Sequence, residues 1–211
     1  MIGGDFVIIL GIDPGIAIVG WGVIEYNKGS FKTLDYGAIR TESGLPVEDR
    51  LAIIHRELYE IIEKYKPACM AVEELFWNTN QKTGIVVAEA RGVIICLARR
   101  MGLKIHEYTP LQAKMAITGY GRADKKQMEV MVTTILKLKE VPKPDDTADA
   151  LAIAITHAHS SGSMMGSYYN TKKAVMGKGV TKKITDPRFV NATNIVIHAK
   201  KKTDKTSEKK D

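Results

Sequence analysis

Four carboxylate residues in three separate parts of the chain have the types and spacing of a metal site. Asp13 follows an apolar run, Glu73 ends a second apolar run, and Asp146 and Asp149 stand three residues apart. Acidic side chains near a core are unfavourable unless a positive charge lies among them. Mg²⁺ prefers a few carboxylates together with water and a phosphate-bearing substrate. This pattern therefore predicts a metal-dependent enzyme that acts on phosphate esters.

Each acid also has an ordinary structural explanation when it is considered alone. Residues 13–15 (Asp-Pro-Gly) are typical of a turn, and Asp146 with Asp149 is compatible with a capped helix start. Glu73 could simply end a strand, and Glu74 beside it leaves the choice between the two open. The combination favours a site, because three independent explanations would otherwise have to coincide.

Hydrophobic periodicity predicts the elements that would position these acids. Strands are predicted over residues 6–12, 17–26, 31–40, 68–73 and 103–108, and helices over 47–65, 83–101, 110–117, 125–137 and 146–159. Three meandering strands followed by strand–helix units predict an α/β fold with a mixed five-stranded sheet and helices on both faces. Gly20 and Gly22 in the second strand predict a bulge or a close backbone approach.

This order of elements can bring the acids together. The ends of the first and fourth strands, which carry Asp13 and Glu73, can lie side by side in the sheet. Asp146 and Asp149 share one face of the last helix, since they are three residues apart. One or two metal ions held there would activate a water molecule and stabilise the leaving oxygen. The expected reaction is phosphodiester hydrolysis.

The charge of the chain is concentrated at its carboxyl end. The 211 residues have a net charge of +7 and a hydrophobic content of 45%. Residues 161–211 contain 12 Lys and Arg against 4 Asp and Glu, a net charge of +8, which leaves −1 for the rest. We therefore predict one folded domain over residues 1–160 and a basic, disordered tail over residues 161–211. Such a tail would add non-specific affinity for nucleic acid. No run of eighteen apolar residues occurs, so no membrane span is expected.

The cysteine residues lie in apolar runs, and the histidine residues have no metal-ligand spacing in the sequence. Cys69 and Cys96 both lie in apolar runs, which predicts buried, reduced thiols and an intracellular location. His157 and His159 end the last helix and are expected to cap it and face solvent rather than to bind a metal. His106 has no ligand spacing in the sequence.

Basic and aromatic residues near the acids suggest contacts with DNA. Asp124 and Gln127 have the spacing of a capping box that opens the predicted helix over 125–137. Lys125 is the first residue of this helix after a glycine-rich loop, and with Arg122 and Lys126 it predicts a phosphate-binding corner. A solvated basic face is the alternative. Phe76 and Trp77 follow Glu73 in a polar loop, where aromatic rings could stack on an unpaired base or pack beneath the loop.

Four blocks of sequence closely resemble the RuvC family of Holliday junction resolvases, in that family's order and spacing. The resemblance runs from about residue 8 to residue 159. It implies an RNase H-like fold, a cytoplasmic homodimer, and paired nicking of four-way DNA junctions that depends on Mg²⁺, with Mn²⁺ as a substitute and one or two ions per subunit. It also implies partnership with the RuvA–RuvB branch-migration motor. The blocks are Ile9–Gly15, Ala71–Glu73, Ala90–Gly92 and Asp146–Ala154.

The resemblance assigns roles to particular positions. By position, the catalytic and metal-binding acids are Asp13, Glu73, Asp146 and Asp149. Lys114 and Lys125 match lysines near the family's active site, and Phe76 matches its base-stacking residue. With Arg122 from the basic corner, the predicted DNA-binding residues are Phe76, Lys114, Arg122 and Lys125.

The helix that carries Arg91 and Gly92 has two interpretations. Glycine destabilises a helix interior, so Gly92 is expected to mark close packing. In a RuvC-like dimer this helix would lie near the two-fold axis. A buried core helix explains the same pattern.

Three rival functions remain open on the sequence. Another RNase H-like nuclease or recombinase would use the same acids on a different nucleic acid. An actin-like ATPase or sugar kinase would use a similar first hairpin to hold phosphate, but the chain has no second glycine-rich nucleotide loop. A catalytically inactive protein would bind junctions without cutting them, although all four acids argue against it.

Overall fold

A meander of three strands followed by two parallel strands builds the sheet. The computed structural model describes residues 6–75 and 81–161. The strand order is β3-β2-β1-β4-β5, with β1–β2 and β2–β3 antiparallel and β1–β4 and β4–β5 parallel. This confirms the predicted mixed five-stranded sheet. The strands are β1 (Val7–Asp13), β2 (Ile18–Asn27), β3 (Ser30–Arg40), β4 (Cys69–Glu73) and β5 (Lys104–Tyr108).

Five helices cover the two faces of this sheet. The first two pack on one face, and the last three pack on the other. The fourth ends two residues earlier than expected, because Leu136 caps it and Lys137 has a φ of 52°. Among the described residues, no helix is both long and apolar enough to cross a membrane. The helices are α1 (Val47–Tyr65), α2 (Gln81–Arg100), α3 (Pro110–Thr118), α4 (Lys125–Ile135) and α5 (Asp145–Ser161).

Strand alternation divides the core into two hydrophobic clusters. On β1, Ile9 packs towards α3, α4 and α5, whereas Leu10 and Ile12 pack towards α1 and α2. The period of two therefore sends the end of β1, Asp13, towards the α5 face. The same alternation on β4 sends Glu73 to that face. All the described residues belong to one compact unit, Met1–Ser167.

Glycines on the central strands allow α5 to lie directly on the sheet. A Cβ atom on Gly11 would lie 2.1 Å from the carbonyl oxygen of Ala150, and one on Gly20 would lie 1.9 Å from that of Asp146. Gly22 faces α5 in the same way. The close approach predicted for the glycines of β2 is confirmed. It leaves α5 almost wholly buried.

Some sequence predictions fall outside the described residues. Phe76 and Trp77 lie in the undescribed stretch between β4 and α2. The predicted tail, residues 161–211, also lies outside the described residues, apart from Ser161 at the end of α5. Its predicted disorder and the domain boundary at residue 160 stay predictions.

Candidate active site

Two neighbouring parallel strands bring the first two acids to one edge of the sheet. β1 and β4 are paired in parallel up to Ile12 and Val72, so Asp13 and Glu73 follow at adjacent strand ends. The carboxyl ends of parallel strands meet at one edge, where ligands bind in open α/β sheets. The predicted placement of these two acids is confirmed.

The first turn of α5 brings the other two acids to the same edge. Asp13 is paired with Gly20 on β2, and the backbone of Asp146 lies over that glycine. Thr147 anchors the turn, because its hydroxyl donates a hydrogen bond of 3.2 Å to the carbonyl of Gly37 on β3. Asp146 and Asp149 are therefore held above the ends of β1 and β4.

Burial and neighbouring negative charges raise the pKa of three of these acids. Burial, with the charges of Glu73, Asp149 and Asp146, raises the pKa of Asp13 to about 8. Burial and the charge of Asp149 raise the pKa of Glu73 to about 7. Burial also raises the pKa of Asp149, while the nearby ammonium of Lys125 opposes the rise. Without a further cation, the site holds less negative charge at neutral pH than its four carboxyl groups suggest.

Two lysines contribute positive charge to the site. The Nζ atom of Lys125 lies 3.3 Å from Asp145 Oδ2 and 3.5 Å from Asp149 Oδ2. Lys114, on α3, joins Lys125, Asp149 and Glu73 in lining a cavity of about 230 Å³. The lining of the cavity thus contains both charge signs, with two carboxylates and two ammonium groups.

A capping box fixes the helix start that carries Lys125. Asp124 Oδ1 accepts a hydrogen bond of 2.8 Å from the backbone of Gln127, whose side chain accepts one of 3.0 Å from the backbone of Asp124. Sequence predicted this arrangement from the spacing alone. Arg122 is exposed in the preceding turn and is not among the residues that line the cavity.

An arginine on α2 holds the end of β4. Arg91 Nε donates a hydrogen bond of 3.3 Å to the carbonyl oxygen of Glu73, and an Nη of Arg91 lies 2.7 Å from a carboxylate oxygen of Glu107 on β5. The backbone of Glu74 donates to the carbonyl of Tyr108 at 2.9 Å. These bonds fix the strand end so that Glu73, and not Glu74, lines the cavity. No local pattern around Arg91 in the sequence indicates this contact.

Comparison with known proteins identifies the family. The sequence model described as "Crossover junction endodeoxyribonuclease RuvC" matches residues 9–157. The chain belongs to the RuvC family. A RuvC protein of Alkaliphilus oremlandii is 57% identical over 153 residues, which cover 72% of this chain and 93% of the relative. One of Fusobacterium nucleatum is 49% identical over 176 residues, which cover 82% and 93%.

Solved structures agree with the RuvC assignment. Thermus thermophilus RuvC in complex with a Holliday junction substrate has a TM-score of 0.70 and 35% identity, covering 74% of this chain and 94% of that one. The yeast mitochondrial Holliday junction resolvase has a TM-score of 0.57 at 16% identity, which shows a shared fold only, over 79% and 83% of the two chains. The predictions of the family, of an RNase H-like fold and of a phosphodiester-hydrolysing enzyme are confirmed.

The carboxylates fit the metal dependence that is the norm in RuvC enzymes. Their oxygen donors suit a hard divalent cation. The raised pKa values of Asp13 and Glu73 also fit, because a cation among these groups would favour their charged forms. The acids, rather than the lysines, are the groups at this edge that could hold it.

Three expectations about this RuvC chain are wrong. Cys96 is exposed, because it lies on the outer side of α2, whereas Cys69 is buried as predicted. His157 is buried rather than at the surface, because α5 is covered to its last turn. A Cβ atom at Gly92 would meet no atom of another element within 4 Å, so nothing among the described residues packs closely on that glycine.

Proposed function

We propose that this chain resolves four-way DNA junctions by hydrolysing a symmetric pair of phosphodiester bonds in recombination and repair. The reacting site is the edge formed by Asp13, Glu73, Asp146 and Asp149. The observation that carries the proposal is this partly buried group of acids beside two lysines, in a chain of the RuvC family. The Thermus thermophilus relative, which was solved with a Holliday junction substrate, supports the choice of DNA.

Mg²⁺ is the proposed ion, with Mn²⁺ as a substitute, and one or two ions would bind per subunit. When bound, such ions supply an activated water molecule and stabilise the leaving oxygen of an in-line displacement. The four acids would hold them. Lys125 lies against Asp149 and limits repulsion among the acids before any ion arrives.

The lysines of the cavity would bind the DNA backbone. Lys114 and Lys125 approach the acids from α3 and α4, so a phosphate held between them would lie over Glu73 and Asp149. The first turn of α4 would direct its backbone N–H groups towards the same phosphate, apart from that of Gln127, which the capping box occupies. Arg122 would contact a neighbouring phosphate from its exposed turn. Phe76 is proposed, from sequence position, to stack on an unpaired base at the crossover.

A homodimer is proposed because a four-way junction is two-fold symmetric and the active site of one subunit would cut one strand. Two identical sites related by a two-fold axis would make the two nicks symmetric. The RuvA–RuvB branch-migration complex is the proposed partner, on the family resemblance. A cytoplasmic location follows from the same resemblance.

The first test is cleavage of a synthetic four-way junction with Mg²⁺ by wild type, Glu73→Gln and Glu74→Gln. We expect paired nicks from the wild type and from Glu74→Gln. Glu73→Gln should lose at least about 100-fold in nicking rate and still bind the junction, because it removes an acid of the cavity. Asp146→Asn should behave like Glu73→Gln.

Other substrates distinguish the rival functions. Preferred cleavage of duplex, flap or RNA–DNA hybrid over the junction would favour a different RNase H-like nuclease. Junction binding without cleavage in any divalent metal would favour an inactive binding protein. Equal loss in Glu73→Gln and Glu74→Gln would contradict the placement of the site on Glu73.

A further inference from the structure

A second group of metal-binding side chains lies away from the acids. Cys69 from β4, His106 from β5 and His157 from α5 each offer a ligand atom, and these atoms lie within 4.8 Å of one another. The register explains the meeting, because His106 is paired with Ala71, two residues from Cys69 on the same face of the sheet. The last turns of α5 pack over that face and bring His157.

The surroundings of the group resemble those of a bound metal. Cys69 and His157 are buried, with relative exposures of 5% and 7%. The Tyr108 hydroxyl lies 2.8 Å from Nδ1 of His157, and such a hydrogen bond fixes the orientation of a ligating imidazole. The rings of His106 and His157 are stacked with their centroids 4.1 Å apart. His106 is only partly buried, so solvent reaches the group from its side.

This group and the acid site are two separate places in the molecule. Cys69 and Glu73 stand at opposite ends of β4, which separates them by about 13 Å along the strand. His157 lies eight residues beyond Asp149, which corresponds to about 12 Å along α5. An ion at one group therefore has no ligand from the other.

The chemistry of the donors differs as well. Carboxylate oxygens suit Mg²⁺, whereas a thiolate with two imidazoles suits borderline-soft transition metals such as Zn²⁺. Around a Zn²⁺ ion, with ligand distances of about 2.0–2.3 Å, neighbouring donors lie about 3.3–3.8 Å apart. Donor atoms already within 4.8 Å reach that spacing through small side-chain rotations.

We propose that Cys69, His106 and His157 form a binding site for a transition metal of the Zn²⁺ class. The three ligands leave one tetrahedral position for water or a further donor. The site joins β4, β5 and α5 at the end remote from the acids. A bound ion would fix the far end of the helix whose first turn carries Asp146 and Asp149. This goes beyond the proposed junction cleavage and does not depend on it.

The test is titration of the tag-free full-length chain with Co²⁺, a spectroscopic substitute for Zn²⁺, after removal of metal with a chelator. Excess Mg²⁺ keeps the acid site occupied. We expect one equivalent of Co²⁺ to give thiolate-to-cobalt charge-transfer absorption in the near ultraviolet, and Zn²⁺ to displace it. Cys69→Ala should abolish the absorption, and Cys96→Ala should retain it, because Cys96 is the exposed thiol.

Histidine variants give a second, independent measurement. His106→Gln should weaken Co²⁺ binding by about tenfold or more, whereas the exposed His55→Gln should not change it. Circular dichroism of each variant reports whether it folds. If Cys69→Ala does not fold, the comparison of His106→Gln with the wild type still tests the proposal. The proposal is overturned if the wild type gives no charge-transfer absorption, or if His106→Gln binds Co²⁺ as tightly as the wild type.

Discussion

At the scale of single residues, the acids are placed for binding and not for stability. The raised pKa values of Asp13 and Glu73 mean that the folded chain binds these protons more tightly than the unfolded chain does. Ionising the acids without a cation therefore destabilises the fold. A divalent ion among the acids would remove this destabilisation, because it would favour their charged forms.

This gives a prediction for the pH dependence of stability in chelator. Between the ordinary carboxyl pKa of 3.8 and about 8, the unfolded state binds fewer protons at Asp13, so the free energy of unfolding falls as pH rises. One pKa unit corresponds to about 1.4 kcal/mol, so the fall should amount to a few kcal/mol. Urea unfolding of the wild type and Asp13→Asn measures it.

In Asp13→Asn, the free energy of unfolding should fall much less as pH rises, and near pH 8 this variant should be more stable than the wild type. Added Mg²⁺ should restore the stability of the wild type and leave Asp13→Asn less affected. Asp49→Asn, at an exposed position of α1, is the control and should keep the pH dependence of the wild type. Equal pH dependence in the wild type and Asp13→Asn would contradict the burial of a shifted carboxyl.

At the scale of elements, the site depends on how closely α5 lies on the sheet. Gly20 is paired with Asp13 and lies beneath the backbone of Asp146, so one glycine sets the distance between two acids. Arg91 provides the matching constraint on the other side, because it holds the end of β4 through the carbonyl of Glu73. Both constraints act on backbone atoms.

We therefore expect Gly20→Ala to be damaging. Its Cβ would lie 1.9 Å from the carbonyl oxygen of Asp146, so α5 must move outward. Overpacking of this kind costs about 1–3 kcal/mol, and the displaced acids should slow junction nicking more than they weaken junction binding. Denaturant unfolding and nicking rates measure the two effects. Gly44→Ala, which meets nothing within 4 Å, is the control and should change neither.

At the scale of the whole molecule, the net charge differs between residues 1–160 and the tail, residues 161–211. Residues 161–211 have a net charge of +8, whereas the remainder has −1. The folded part therefore attracts DNA only through local groups such as Lys114 and Lys125.

A chain that ends at Ser161 tests the contribution of the tail. For every phosphate that the tail neutralises, its removal should reduce the slope of log affinity against log salt by about 0.9, because fewer counterions are released. We expect weaker junction binding with a shallower salt dependence, measured by fluorescence anisotropy over a range of salt concentrations. A full-length chain with its tail lysines changed to glutamine is the matched control and should behave like the truncated chain. An unchanged slope would show that the tail does not bind DNA.

The sequence by itself determined the order of elements, the strand ends that carry Asp13 and Glu73, and the capping box before Lys125. These depend on local periodicity and on spacings of a few residues, which can be read along the chain. The four acids were also identifiable, because their blocks resemble one family in order and spacing. The resemblance favours Glu73 over Glu74. Strand alternation and the hydrogen bond from the backbone of Glu74 to the carbonyl of Tyr108 explain why the side chain of Glu73 lines the cavity.

Only the tertiary structure decided which distant residues meet. Cys69, His106 and His157 are far apart in sequence and come together through the β4–β5 register and the packing of α5. His157 was wrongly expected at the surface because it ends a helix, and Cys96 was wrongly expected to be buried because it lies in an apolar run. Neither feature of the sequence reveals which side of a helix another element covers. Local pattern fixes the elements, whereas burial and coordination depend on contacts between elements, and those exist only once the sheet and α5 have packed.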